Sequence, residues 1–81
     1  METKLAVISI IVENSDSVEL LNGLLHRYSQ YIIGRMGIPY KSRRVNVIAV
    51  VLDAPVDCIN TLTGALGRLD GVMAKAMLSK V

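Results

Sequence analysis

The sequence predicts an α+β fold in which strands and helices follow the order β-α-β-β-α-β. Two stretches, Leu5 to Val12 and Val45 to Leu52, are rich in Val and Ile and largely apolar on both parities, that is, at both odd- and even-numbered positions. This pattern is typical of strands covered on both faces. Two other stretches repeat apolar residues at the spacing of an amphipathic helix. The two remaining apolar stretches are broken by glycines or by a lysine and fit less buried strands.

The first half of the chain predicts a strand, a helix and a second strand. The strand over Leu5 to Val12 is followed by a polar cluster, in which Ser15 or Asp16 is expected to cap the next helix. We expect that helix from about Asp16 to Gln30 and the second strand from Tyr31 to Ile38. The apolar face of the helix consists of Val18, Leu21, Leu24, Leu25 and Tyr28.

Three large apolar residues of the second strand share a parity. Ile32, Met36 and Ile38 are therefore expected on the same face of the sheet. Gly34 and Gly37 lie between them and allow a bulge or a bend, because glycine weakens regular strand packing. A polar connection then leads into the third strand.

The second half predicts a strand, a helix and a strand again. After Val45 to Leu52, Pro55 suits the first helical position, where its missing N–H costs nothing. Gly71 is expected to end this helix as a left-handed cap, and Val72 to Leu78 alternates as the last strand. The apolar helical face consists of Ile59, Leu62, Leu66 and Leu69.

This element order is the split βαβ, or ferredoxin-like, arrangement: a four-stranded antiparallel sheet with two helices on one face. We expect a single domain over residues 1–81, with its two most apolar strands in the middle of the sheet. Two helices cover only one face of such a sheet. The other face should stay apolar whichever parity it presents, and contiguous apolar surface usually marks an interface. The sequence therefore predicts a homo-oligomer.

Composition excludes several classes of protein. A formal net charge of +2 and the absence of Trp and Phe argue against direct nucleic-acid binding. The apolar run after Lys4 is too short to span a membrane and lacks a cleavage site, so we expect a cytoplasmic protein without a membrane partner. The single cysteine excludes an intrachain disulfide.

Residues able to carry catalysis or hold a metal are scarce. Cys58 and His26 are the only cysteine and histidine, and they fall on different helices, so we expect no catalytic residues, no metal site and no cofactor. The basic cluster of Lys41, Arg43 and Arg44 is more easily explained as a solvated hairpin than as an anion site.

One loop is the candidate ligand site. Asn14, Ser15 and Asp16 join the end of a central strand to a helix N-terminus, a place where anions such as carboxylates bind. The same residues also suit simple helix capping, which is the more frequent role of such a cluster.

Two stretches carry a family resemblance: ISIIVENSDSVELLNGLLHRYSQYIIGRMGIPY and NTLTGALGRLDGVMAKAML. They resemble the ACT-like regulatory domains and, more narrowly, the small stand-alone regulators of iron-only hydrogenase systems. The similarity runs from about Leu5 to Leu78 and is carried mainly by Leu24 to Pro39 and Leu62 to Val72. It implies a ferredoxin-like fold, side-by-side dimers or tetramers, and a regulatory or ligand-sensing role without catalysis.

Three functions follow as hypotheses. The first is a non-enzymatic regulatory domain that self-associates and binds a small molecule at an interface. The second is a structural oligomerisation or interaction module that binds a protein partner and no ligand. The third is a metal-responsive regulator with a site assembled between subunits from residues such as His26.

Overall fold

The computed structural model describes residues 2–80 and contains four strands and two α-helices. The strands pair antiparallel in the order β2-β3-β1-β4, with both helices on one side. This is the predicted ferredoxin-like fold. The elements are β1 (Lys4–Val12), α1 (Val18–Arg27), β2 (Ile32–Tyr40), β3 (Val45–Ala54), α2 (Val56–Gly67) and β4 (Val72–Leu78).

The two central strands of the sheet are β1 and β3, as predicted from the sequence. β1 and β3 pair over their whole lengths, from Lys4 opposite Ala54 to Val12 opposite Asn46. Their even-numbered apolar side chains point toward the helices and are buried, because the helices exclude water from that face only. The core consists of Ala6, Ile8, Ile10, Val12, Leu21, Leu25, Ile48, Val50, Leu52, Ala54, Ile59, Leu62, Leu66 and Val72.

Helix α1 is shorter than the sequence predicts. A 3-10 turn over Ser15–Ser17 precedes it and another over Ser29–Tyr31 follows it. The predicted capping residues were wrong: the Asn14 side chain accepts the backbone N–H of Asp16 and starts the first turn, while neither Ser15 nor Asp16 caps α1. An Asx turn of this kind competes with regular helix in its first residues.

A bulge in β2 corrects the predicted face assignment. Ile32 lies opposite Leu52, whereas Gly34 lies opposite Val51, so Ile33 is an extra residue in the ladder. Because the bulge adds one residue, the β2 residues after it project to the side of the sheet opposite to the one that simple alternation from Ile32 would give. Ile32 therefore lies on the helix side, and Met36 lies on the outer side with Ile38.

Gly71 does not end helix α2, which already stops at Gly67. Two further turns follow, in which the N–H of Leu69 donates to Leu66 and that of Val72 to Leu69. Gly71 does adopt the predicted left-handed conformation, with φ +69°, but it lies immediately before β4. In the described residues, neither helix is long and apolar enough to cross a membrane.

Candidate functional site: the outer face of the sheet

The side of the sheet away from the helices is a continuous, mostly apolar surface, which we call the outer face. Residues directly opposite each other in an antiparallel ladder project to the same side, so the registers define rows across all four strands. The first row consists of Met73, Ile11, Val47 and Ile38. The third row consists of Met77, Val7, Val51 and Gly34.

The row between them is the most polar of the three. Lys75 lies opposite Ser9 in β1, and the row continues through Ala49 to Met36. A lysine on an edge strand discourages uncontrolled pairing of that strand with other chains.

Large apolar side chains of the outer face are freely accessible in the single chain. Met73, Met77 and Met36 are 61%, 70% and 64% exposed. In the central strands, Ile11 and Val47 are still 39% and 40% exposed. These side chains form a contiguous apolar patch, the type of surface that soluble proteins usually cover with a partner.

An open groove of about 610 Å³ lies where the outer face ends, beside the β2–β3 hairpin. Its apolar lining comes from Ile11, Val45, Val47 and Met73, and its polar lining from Glu13, Tyr40 and Arg43. The groove thus offers apolar surface together with one carboxylate, one phenol and one guanidinium. This groove is not predicted from the sequence, although Glu13 has the parity of Ile11 and Arg43 belongs to the basic cluster.

The loop after β1, predicted as a ligand site, is bound to the loop before β4. The Asn14 side chain accepts the N–H of Asp16 at 3.0 Å and donates to the Asp70 carboxylate at 2.7 Å. The Ser17 hydroxyl donates to the Asp70 carbonyl at 2.6 Å, and the N–H of Glu13 donates to the Gly71 carbonyl. Asn14 therefore holds two loops together, whereas Ser15 and Asp16 are exposed to solvent.

The cysteine and the histidine have separate surroundings. Cys58 is half-buried against the core from α2, while His26 is exposed near the end of α1. Over residues 2–80, no group of three or more His, Cys, Asp or Glu side chains is arranged to hold a metal ion. The basic cluster lies in the β2–β3 hairpin, where Lys41 and Arg43 belong to a 3-10 turn and Arg44 adopts a left-handed conformation with φ 55°.

Comparison with known proteins gives one family match. The model of the family described as "TM1266-like: Iron-only hydrogenase system regulator, putative" matches residues 4–76. No curated protein sequence matches the chain.

Solved structures agree with the family match. The uncharacterized protein TM1266 from Thermotoga maritima is 31% identical, with a TM-score of 0.93 over 98% of this chain and 100% of that one. The ACT domain from the GTP pyrophosphokinase of Chlorobium tepidum is 17% identical, with a TM-score of 0.79 over 93% of this chain and 99% of that one. An unknown protein from Galdieria sulphuraria is 14% identical, with a TM-score of 0.67 over 99% of this chain and 47% of that one. The last two establish the fold alone.

Proposed function

Because this chain belongs to the TM1266-like family, described as regulators of the iron-only hydrogenase system, we propose that it is a non-enzymatic regulatory domain that self-associates through the outer face of its sheet. We further propose that it binds a small molecule at the end of that face. The apolar outer face is the observation that carries the proposal. A regulatory domain of this kind acts through the partners and ligands that its surfaces bind, and needs no catalytic group.

The size of the outer face supports pairing with a second copy. Four strands at standard spacing and seven residues of standard rise give a projected area of about 440 Å². Protruding side chains make the accessible area larger than this projection. Two such faces reach the roughly 1,000 Å² in total that a specific interface needs. Packing of two sheets about 10 Å apart is also a common way to bury strands of this composition.

A charge placed on a central strand of the outer face tests the self-association. Val47→Lys buries an unpaired charge if a second copy covers the outer face. We therefore expect the assembly to lose the contact through this face and its solution mass to fall. Val56→Lys is the matched control, because Val56 is 37% exposed and Val47 40%, and Val56 lies at the start of α2. Light scattering over a range of protein concentrations measures both. An unchanged mass for Val47→Lys rules out the outer face as the interface.

The groove beside the β2–β3 hairpin is the proposed ligand site. It combines apolar lining with Glu13 and Arg43, which suits a small molecule that carries both an apolar part and a charged group. The Asn14–Asp16 loop is not part of the groove lining, but it follows Glu13, a lining residue, directly in the chain. We retain Asn14, Ser15 and Asp16 as proposed ligand contacts on this basis.

A thermal-shift screen with amino acids, nucleotides and first-row metal ions tests ligand binding. A ligand that binds only the folded state raises stability by about 2.7 kcal/mol at a hundredfold excess over its Kd. Arg43→Ala should abolish the shift caused by an anionic hit, whereas Lys41→Ala, in the same hairpin turn but outside the groove, should keep it. An anionic hit that Arg43→Ala leaves unchanged excludes the groove.

A structural module without a ligand is the second candidate, and one observation favours it. Both polar groups of the Asn14 side chain are already hydrogen-bonded inside the chain, so a ligand at this loop would have to compete with those bonds. Silence across the whole screen, together with a mass that Val47→Lys reduces, supports this second function over the first.

A further inference from the structure

We propose that helix α1 carries a second, weaker self-association surface, through which two copies pair antiparallel by inserting Leu20 and matching Glu19 with Arg27. This surface lies on the helix side of the molecule and is separate from the outer face. The expected contact is sensitive to salt, because exposed charges guide it.

The surface begins with an apolar side chain that the fold leaves uncovered. Leu20 is 63% exposed, although the two leucines beside it on α1, Leu21 and Leu24, are buried and half-buried. It borders an open groove of about 410 Å³ between α1 and α2. The lining of this groove consists of Glu19, Leu20, Gly23, Leu24, Arg27, Ala65, Arg68 and Leu69. A protruding leucine next to a partly apolar groove can fill the same groove on a second copy.

Two charged residues on the exposed side of α1 are arranged symmetrically about Gly23. Glu19 precedes it by four residues and Arg27 follows it by four, so all three project from neighbouring positions on the helix surface. If a twofold axis passes beside Gly23, between the two helices, the Glu19 of one copy lies opposite the Arg27 of the other, and the reverse pair forms at the other end. Arg68 of α2 adds positive charge beside Arg27 in the groove. The pattern is self-complementary, which points to a second copy as the occupant.

Gly23 permits the close approach that this pairing requires. A Cβ at Gly23 would have no heavy atom within 4 Å, so packing inside the chain does not require glycine. Glycine costs roughly 1 kcal/mol relative to alanine inside a helix. The α1 helix of a second copy that packs against this side of α1 would meet backbone at Gly23 instead of a side chain.

The helix surface and the outer face lie on opposite sides of a thin molecule, so both can be occupied at once. Two twofold contacts on opposite sides do not close into a ring and instead extend an assembly in one direction. We therefore expect a dimer through the outer face at high salt. At low salt, the dimers should join through α1, and the average mass should rise with protein concentration.

Charge reversal tests the pairing. Sedimentation velocity is measured at about 20 mM salt, where screening is weak, and at about 500 mM salt, where it is strong. Glu19→Arg and Arg27→Glu should each raise the dissociation constant of the low-salt step about tenfold or more, because like charges then face each other. The double variant should recover most of the association. Asp57→Arg, at an exposed position of α2 outside the groove, should behave like the unmodified chain.

Net charge separates this pairing from general repulsion between molecules. The formal net charge of +2 becomes +4 in Glu19→Arg and 0 in Arg27→Glu, and stays +2 in the double variant. General repulsion predicts opposite effects of the two single variants, whereas the proposed pairing predicts that both weaken association. Single variants that associate like the unmodified chain, or with opposite effects, overturn the proposal.

Substitution at Gly23 gives an independent measurement. Gly23→Ala should raise the midpoint of thermal unfolding and also weaken the low-salt association; stabilisation with unchanged association contradicts the proposal. Val47→Lys should remove only the high-salt dimer. If Val47→Lys has no effect but charge reversal does, the outer-face proposal fails and the α1 proposal stands.

Discussion

The side-chain amide of Asn14 donates a hydrogen bond of 2.7 Å to the carboxylate of Asp70, a residue 56 positions away in the sequence. This bond joins the loop after β1 to the loop before β4. The carbonyl of Asp70 also accepts the hydroxyl of Ser17, and its neighbour Gly71 accepts the N–H of Glu13. The two loops are therefore fixed to each other by side-chain and backbone contacts at the end of the central strand.

We expect Asn14→Ala to destabilise the protein by about 1–2 kcal/mol, because it removes both a turn cap and a hydrogen bond to a charged group. Urea unfolding followed by circular dichroism measures the change. Ser15→Ala is the matched control: Ser15 is exposed in the same turn, and a change within about 0.5 kcal/mol is usual for such positions. Equal stabilities for the two variants would show that the loop contact is energetically unimportant.

We expect Gly71→Ala to destabilise the protein by about 3 kcal/mol, through a strained left-handed backbone and a steric conflict. The added Cβ would lie 2.7 Å from the Cβ of Asn14 and 2.9 Å from its backbone nitrogen. Gly67→Ala provides the comparison, because a Cβ there would meet nothing within 4 Å at the end of α2. Gly67→Ala should be neutral or stabilising in the same thermal unfolding experiment, and a similar loss in both variants would contradict the steric explanation.

The central part of the fold could be predicted from the sequence because its physical signal is local. β1 and β3 are apolar on both parities, which by itself places them in the middle of a sheet. The spacing of Leu62 and Leu66 likewise identifies the buried side of α2 without reference to any other element.

The details at the ends of elements depend on distant residues and could not be predicted. Asn14 rather than Ser15 starts the first turn because Asp70 fixes it there, and no local pattern reveals that partner. The β2 bulge has a similar origin. The glycines at 34 and 37 both permitted an irregularity, and only pairing with β3 places the extra residue at Ile33.

We expect Lys75→Met to strengthen association through the outer face, lowering its dissociation constant about tenfold. Lys75 lies in the middle row, opposite Ser9, and a second copy would have to desolvate its ammonium group. Lys80→Met, which makes the same change at an exposed position after β4, is the control. Light scattering at increasing dilution measures both variants. Weaker association of Lys75→Met would mean that the lysine contributes a favourable contact instead.

We expect hydrogen peroxide to oxidise Met36, Met73 and Met77 more slowly when the protein is concentrated enough to associate. All three thioethers lie on the outer face, and a second copy on that face would shield them from the oxidant. Mass spectrometry of peptides after brief oxidation gives the rate at each position. The Val47→Lys variant should lose this protection and oxidise at the same rate at every protein concentration. Oxidised protein should also associate more weakly, since each sulfoxide places a polar group in an apolar contact. Rates that do not depend on concentration in the unmodified protein would contradict burial of the outer face between copies.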